Sequence, residues 1–346
     1  MALEAQLNPT LMYQEAAAAA DAVRGQAAMH DLIEAAAARL RALDPPLVLT
    51  CGRGSSDHAA TFAQYLVATQ LGLPCYSHPP SLGSVLRATS RRLAGAVMIL
   101  VSQSGRSPDL LRSAEAARAA GMTLIGLVND ASSPLADMVD ILLPVGAGVE
   151  RSVAATKSVI ATMAMMIRLA AAWARSGTMV EAITALPDQL DRAWQADWST
   201  AIAPIAAADH LFVLGRDLTL GVAQEAALKF KETCGLHAEA FSLAEVAHGP
   251  MAIVGPAVPV LTFPSEAAIA SGAVELLGQF RDRGATIVMA GHPIDGSIAL
   301  PLAAAAPVTR PILVLQSFYR LAEAAARARG HDPDRPPSLA KVTRTL

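Results

Sequence analysis

The feature that most constrains the fold is a pattern that occurs twice. The apolar run Val48-Leu49-Thr50-Cys51, ending in Gly52-Arg53, returns 163 residues later as Leu211-Phe212-Val213-Leu214, ending in Gly215-Arg216. At the same offset Ser102 meets Ser265, Gly121 meets Gly284, and Leu124-Ile125 meets Ile287-Val288. Strand, loop, helix and strand signals repeated at one spacing read as an internal duplication. In the first copy, short aliphatic runs at 47–50, 74–77, 97–101, 123–128 and 141–144 alternate with helical patterns at 57–70, 84–93, 108–120 and 155–176. Strands this uniformly apolar are buried on both faces, as in a parallel sheet covered by helices. The expected fold is therefore α/β, with two tandem doubly wound parallel sheets, helices on both faces of each, and a C-terminal tail. The first domain, with helical residues 8–43 in front, spans 1–185. The second spans 195–330 and the tail 331–346. Between the domains, 177–196 reads as a helix broken at Leu186-Pro187, and 265–283 reads as one helix of the second copy.

Composition narrows the function. At 53% hydrophobic and 16% charged, the 346-residue chain has the means to bury a large core and is not a disordered one. A net charge of −3 provides no basic face for nucleic acid. The most apolar stretch, 158–173, is interrupted by Arg168, so no membrane span of ~18 apolar residues is expected. The start, Met1-Ala2-Leu3-Glu4, has no basic patch and apolar core of a signal peptide. Cys51, Cys75 and Cys234 fit neither a metal spacing nor a disulfide framework, and a cytoplasmic setting is expected. The eight histidines are scattered, so neither a metal nor a cofactor is expected.

Three stretches carry chemistry. Ser102-Gln103-Ser104-Gly105-Arg106-Ser107 lies between a buried strand and a helix start, where unpaired N–H groups and the helix dipole favour an anion. Its counterpart in the second copy, Pro264-Ser265-Glu266, carries a charge that repels one, so a phosphate belongs to the first copy. Arg106 either strengthens that site or points into solvent. In the second half Glu225, Lys229 and Glu232 share one helix face, and His237, Glu239, Glu245 and His248 follow closely. A solvated ion-paired face is the bland explanation. Crowding of acids, histidines and lysines in a charge-poor chain favours a site. In the tail, Leu339 and Val342 bracket Lys341 and are expected to dock it, which would make it a partly desolvated, nucleophilic amine. Ser56-Asp57-His58 contains triad residue types but not triad geometry. Gly52-Arg53-Gly54 lacks the third glycine of a dinucleotide turn, and the chain has no Walker loop.

Gly52-Arg53-Gly54-Ser55-Ser56, Ser102–Ser107, Val153-Ala154-Ala155-Thr156-Lys157, Glu225–Glu232, His237-Ala238-Glu239-Ala240, His248-Gly249-Pro250 and Leu339-Ala340-Lys341 together resemble the double sugar isomerase (SIS) domain. The match is to the isomerase half of glucosamine-6-phosphate synthase and its relatives, and it runs in order over nearly the whole chain. The resemblance implies flavodoxin-like domains, a homodimer with an active site shared between subunits, and a hexose 6-phosphate substrate. It implies that Ser55, Ser56, Ser102, Gln103, Ser104 and Ser107 hold the phosphate and nearby hydroxyls, and that Val153 and Ala155 line the sugar. Glu232 falls on the base that moves a proton between C1 and C2. His248 falls on the ring-opening histidine supplied by the neighbouring subunit, and Lys341 on the Schiff-base lysine. Lys229 matches a second lysine near the sugar ring.

The sequence departs from the synthase in having Arg106-Ser107 where the synthase has Glu-Thr, and in beginning about 45 residues before the first SIS strand, without the glutaminase domain that supplies ammonia. The expected activity is an isomerising deaminase, similar to the SIS-type enzymes that convert glucosamine 6-phosphate to fructose 6-phosphate and ammonia. Alternatives are a fructosamine-6-phosphate deglycase, a galactosamine 6-phosphate deaminase or an ammonia-dependent aminotransferase/isomerase. A sugar-phosphate sensor without turnover is the alternative outside enzymes.

Overall fold

The computed structural model describes residues 9–88, 91–339 and 341. Among the described residues ten strands form two separate five-stranded sheets, every pairing parallel. The first contains β1 (Val48–Cys51), β2 (Cys75–Ser77), β3 (Val97–Ser102), β4 (Thr123–Val128) and β5 (Ile141–Pro144), in the order β2-β1-β3-β4-β5. The second contains β6 (His210–Gly215), β7 (His237–Ser242), β8 (Val260–Phe263), β9 (Ile287–Ala290) and β10 (Ile298–Leu300). Read from its other edge, its order is β7-β6-β8-β9-β10, the same winding as the first. Each sheet reverses direction beside its first strand, and in a parallel sheet the carboxyl edge at that reversal is where ligands bind.

The two copies agree in helix register as well as strand order. The helix after β1, Ser55–Leu71, ends on Gly72, and the helix after β6, Leu220–Cys234, ends on Gly235, 163 residues on. Both glycines sit in the left-handed region, at φ +66° and +57°, where a side chain is strained. The turns also agree: a Cβ on Gly52 would lie 2.9 Å from the Ser56 backbone carbon, and one on Gly215 would lie 2.4 Å from the Thr219 carbonyl oxygen. The repeated Gly-Arg therefore marks a turn too tight for any other residue.

By compactness the chain divides into two units. One contains Asp21–Gly148 and Ser158–Pro187, with the first sheet. The other contains residues up to Ala20, Val149–Lys157 and Asp188–Lys341, with the second sheet. Met98, Leu100, Leu110, Leu124 and Val128 lie at the heart of the first core, and Leu214, Val260, Leu277, Phe280 and Met289 of the second.

Local structure differs from the sequence expectation in four places. The helix expected over 84–93 instead occupies Pro80–Ser84, because Pro80 presets the first helical turn. Arg87 at φ +51° stops it, leaving Val85 and Leu86 exposed. No break occurs at Pro187: one helix runs Gly177–Trp194. Its buried stripe of Met179, Ile183, Leu186, Leu190 and Ala193 outweighs the ~3 kcal/mol that an internal proline costs. The expected single helix at 265–283 is interrupted by a π-type turn at Ile269–Ala273, where Ser271 and Gly272 leave helical geometry. The helix Lys157–Ala174 has the length and apolarity of a membrane span, contrary to the expectation, but 83% of it is buried inside the protein, as a core helix is.

Candidate active site

The site-forming side chains fall into two groups, one in each unit. In the first-sheet unit they line the carboxyl edge at the reversal between β1 and β3. Ser55 and Ser56 open the helix after β1, and Ser102, Gln103, Ser104 and Ser107 form the turn after β3, with Ser107 at the N-cap position of helix Pro108–Ala119. Ser102 is buried and its Oγ accepts the Gly105 N–H at 2.9 Å, while the Ser104 Oγ accepts that of Arg106 at 3.3 Å. Gly105, at φ +62°, has no room for a Cβ, which would collide with the Ser133 hydroxyl. The turn is thus folded by its own serines.

Its two arginines face different partners. Arg106 donates through Nη2 to Asp130 Oδ2 at 2.9 Å, so it is committed to the loop beyond β4. Arg53 donates through Nε to Asp109 Oδ2 at 2.8 Å. Asp57, in the helix's first turn, has its carboxyl raised above the usual range by burial, against the pull of His58 and Arg53.

In the second-sheet unit the chemistry lies on helix Leu220–Cys234. The i, i+4 and i, i+3 spacing places Glu225, Lys229 and Glu232 on one face, and that face is turned inward. Lys229 is 0% exposed, with Nζ 3.3 Å from Glu225 Oε1 and in close contact with Glu232 Oε2. Burial alone would lower the Lys229 ammonium, but the two carboxylates hold it above the ordinary lysine value. The explanation as a solvated surface face is therefore wrong for this helix. Glu232 keeps 21% of its side chain exposed, so it is the member of the trio that a substrate can reach.

Two residues the sequence reading did not single out complete the cluster. Tyr319, fully buried on helix Arg310–Ala328, donates its hydroxyl to Glu225 Oε1 at 3.2 Å. Burial together with the charges of Glu225, Glu150 and Glu232 pushes its phenol well above the usual value, so it remains a donor. Glu150 has no exposed side-chain area and accepts the Thr156 N–H at 3.0 Å. Its other oxygen lies 3.4 Å from Lys341 Nζ, which also donates to the Ser152 carbonyl at 2.6 Å. A lone acid just before the Val153–Lys157 motif was the available signal for Glu150. Tyr319 had no signal, since it sits in an ordinary amphipathic helix.

Lys341 is thus seated beside Val153 and Ala155, both half-buried on the same segment. The residue expected to dock the tail, Leu339, is instead 45% exposed; the lysine is held by its ammonium. Ala340 and Val342 lie outside the described residues. His237, Glu239, Glu245 and His248 are exposed. His248 follows a short turn in which its N–H donates to the Glu245 carbonyl at 2.9 Å. The ring of His237 packs edge-on against His210 across β6 and β7.

Comparison with known proteins identifies the family. A sequence profile of the SIS domain matches residues 46–172, which hold the whole first sheet. The glutamine–fructose-6-phosphate aminotransferase (isomerizing) of Symbiobacterium thermophilum is 31% identical over 324 residues, covering 88% of this chain and 52% of the relative. The chain spans about half the length of the curated relatives it matches. A chain from Silicibacter pomeroyi, provisionally named a phosphosugar isomerase, superimposes with TM-score 0.89 at 39% identity, covering 94% of this chain and all of that one. The glucosamine-6-phosphate deaminase of Thermotoga maritima shares the fold, with TM-score 0.77 at 22% identity over 97% of this chain and 100% of its own. With its two like-wound sheets, serine turns and buried acid–lysine helix, the chain belongs to the SIS domain family, related to the isomerase half of the aminotransferases.

Proposed function

We propose that this protein is an isomerising deaminase of glucosamine 6-phosphate, forming fructose 6-phosphate and ammonia. The observation that carries the reading is the Glu225–Lys229–Glu232 trio, with its first two members buried and Glu232 reachable, in the same compact unit as Lys341. An acid–base carboxylate and a held amine are the two groups that moving a proton and then a nitrogen at adjacent carbons requires. The phosphate falls to the serine turns of the first-sheet unit, where Ser55, Ser56, Ser102, Gln103, Ser104 and Ser107 supply donors. Its binding energy fixes the sugar away from the reacting carbons.

In this mechanism His248 opens the ring, acting on the substrate of a neighbouring subunit in a homodimer, which suits its exposure in the single chain. Glu232 removes the C2 proton, the C1 oxygen takes a proton, and C1 then receives the one that left C2. C1 becomes an alcohol and C2 an imine. Water adds to C2 and ammonia leaves, giving the ketone, with the Lys341 amine able to exchange for ammonia through a Schiff base. Lys229 fixes Oε2 of Glu232, so Oε1 is the oxygen that handles the substrate proton. Val153 and Ala155 line the sugar.

The test offers purified protein glucosamine 6-phosphate, galactosamine 6-phosphate and a fructosamine 6-phosphate, and measures ammonia and fructose 6-phosphate. Equal release of both products from glucosamine 6-phosphate is expected. Release only from the fructosamine phosphate would replace this reading with a deglycase.

A further inference from the structure

Of the two arginines in the serine turns, Arg53 is the one bound through Nε, with both terminal nitrogens left open among the described residues, whereas Arg106 is bound through one of its terminal nitrogens. Its neighbours fix where it stands. Gly52 cannot bear a Cβ, and Gly54 sits at φ +52°, ψ −130°. Arg53 therefore projects from a turn with one shape, at the reversal point of the sheet and directly before Ser55 and Ser56. Its Nε is tied to Asp109 Oδ2 at 2.8 Å. Asp109 has 0% side-chain exposure, and its Oδ1 accepts the Leu110 N–H at 2.9 Å in the first turn of the helix that follows Ser107. One bond thus links the two helix starts that carry the phosphate-site serines. It uses one of five guanidinium donors. Among the described residues the terminal nitrogens of Arg53 make no hydrogen bond, and 51% of the side chain is exposed. Arg106, by contrast, spends an Nη2 on Asp130.

We propose that Arg53 is the phosphate-binding cation of this chain and a determinant of its preference for phosphorylated sugars, with Asp109 as its positioning residue. The inference rests on the sugar-phosphate reading above. Asp109 pins the guanidinium by its inner edge, leaving the Nη1/Nη2 fork to take two phosphate oxygens, the bidentate geometry that a lysine cannot reproduce. Its fixed rotamer lowers the entropy lost on binding.

The experiment titrates fructose 6-phosphate, and separately inorganic phosphate, into wild type, Arg53→Ala, Arg53→Ala/Asp109→Asn and Arg106→Ala by calorimetry. A charge-assisted bond of about 1.5–3 kcal/mol corresponds to a roughly 10- to 100-fold loss of affinity in both Arg53 variants. The double variant carries no unpaired buried carboxylate and keeps the wild-type melting temperature, so its loss is not unfolding. Arg106→Ala binds as wild type does. Wild-type affinity in the double variant, transfer of the loss to Arg106→Ala, or a wild type that binds neither probe would overturn the proposal. The two readings fail separately. Binding of fructose 6-phosphate without ammonia release from glucosamine 6-phosphate removes the reaction and leaves Arg53 in place. Ammonia release by the double variant with unchanged KM removes Arg53 and leaves the reaction.

Discussion

The two sheets share one winding and one helix register, yet the same positions hold opposite chemistry. At the offset of 163, Glu225 and Lys229 of the second copy correspond to Phe62 and Leu66 of the first, and all four are buried. The first copy fills these places with core side chains, while the second fills them with an ion pair. The turns show the complementary exchange. In the first copy the post-β1 turn provides a cation, Arg53, to an acid on the next helix. In the second copy the post-β6 turn keeps the arginine, as Arg216, but has an acid, Asp217, where the first has Gly54; Asp217 accepts from Ser265 at 2.9 Å, and Glu266 lies 3.7 Å from Arg310. Where the first copy has Gly54 beside its arginine, the second has put a carboxylate beside its own. A duplicated backbone therefore fixes where a site can be, and a few residues at each carboxyl edge decide which chemistry it carries.

Glu232→Gln tests the chemical half of this comparison most severely. Losing a positioned acid–base group should lower kcat by ~10²-fold or more, with fructose 6-phosphate binding intact. Near-normal turnover would mean that the second copy's helix is not where the proton moves. Next in size is the buried pair. Lys229→Met strands Glu225 in the core, and breaking a buried ion pair costs about 3–5 kcal/mol. Restoring the first copy's pair should behave differently. Glu225→Phe/Lys229→Leu, with Tyr319→Phe so that no hydroxyl loses its acceptor, should fold with an unchanged or raised melting temperature and have no activity, because well-packed apolar groups often match or exceed a buried ion pair. Lower stability in the triple variant than in Lys229→Met would show that the charges serve the fold. The pH dependence has a definite sign. With Lys229 held above its ordinary value near 10.5, its stabilisation is complete below that pH and is lost as pH rises through the folded value. In denaturant unfolding the wild type should lose no stability through this group between pH 6 and 9, and the loss should set in only in strong alkali.

Much of this was legible in the sequence because it is local. The aliphatic runs and their fixed spacing declare buried parallel strands. The glycines at 52 and 215 declare turns, and the spacing of Glu225, Lys229 and Glu232 declares a shared face. Whether that face looks inward is a tertiary fact, and the usual preference of charged residues for solvent pointed the wrong way. Glu150 and Tyr319 were hidden for the same reason: each gains its role from a partner 94 or more residues distant. The tail shows the limit of hydrophobic reasoning. Leu339 was expected to dock, yet the seated group is the Lys341 ammonium, drawn by Glu150 and the Ser152 carbonyl. Arg87 and Gly272 ended helices through positive φ, which periodicity does not register.

The smallest effect concerns the thiols, and it compares the copies at their shared core. Cys51 closes β1, and Cys234 closes the second copy's helix at the place Leu71 holds in the first. Burial pushes Cys51 and Cys75 up to about 12 and Cys234 up to about 11. Since only the thiolate attacks a disulfide reagent, none of the three should react at pH 8 in the native protein, and all three should react in denaturant. Cys75 lies on the edge strand β2 with 7% exposure, whereas Cys51 and Cys234 are at 0%, so under slow native-state opening Cys75 should be labelled first. Unfolded thiols ionise near pH 9, below the folded values, so above that pH all three favour the unfolded chain and stability declines. Fast native labelling of Cys51 ahead of Cys75 would show that the first sheet opens at its phosphate turn rather than at its edge. That order would also place the flexibility of the first copy at Arg53, where the binding proposal requires rigidity.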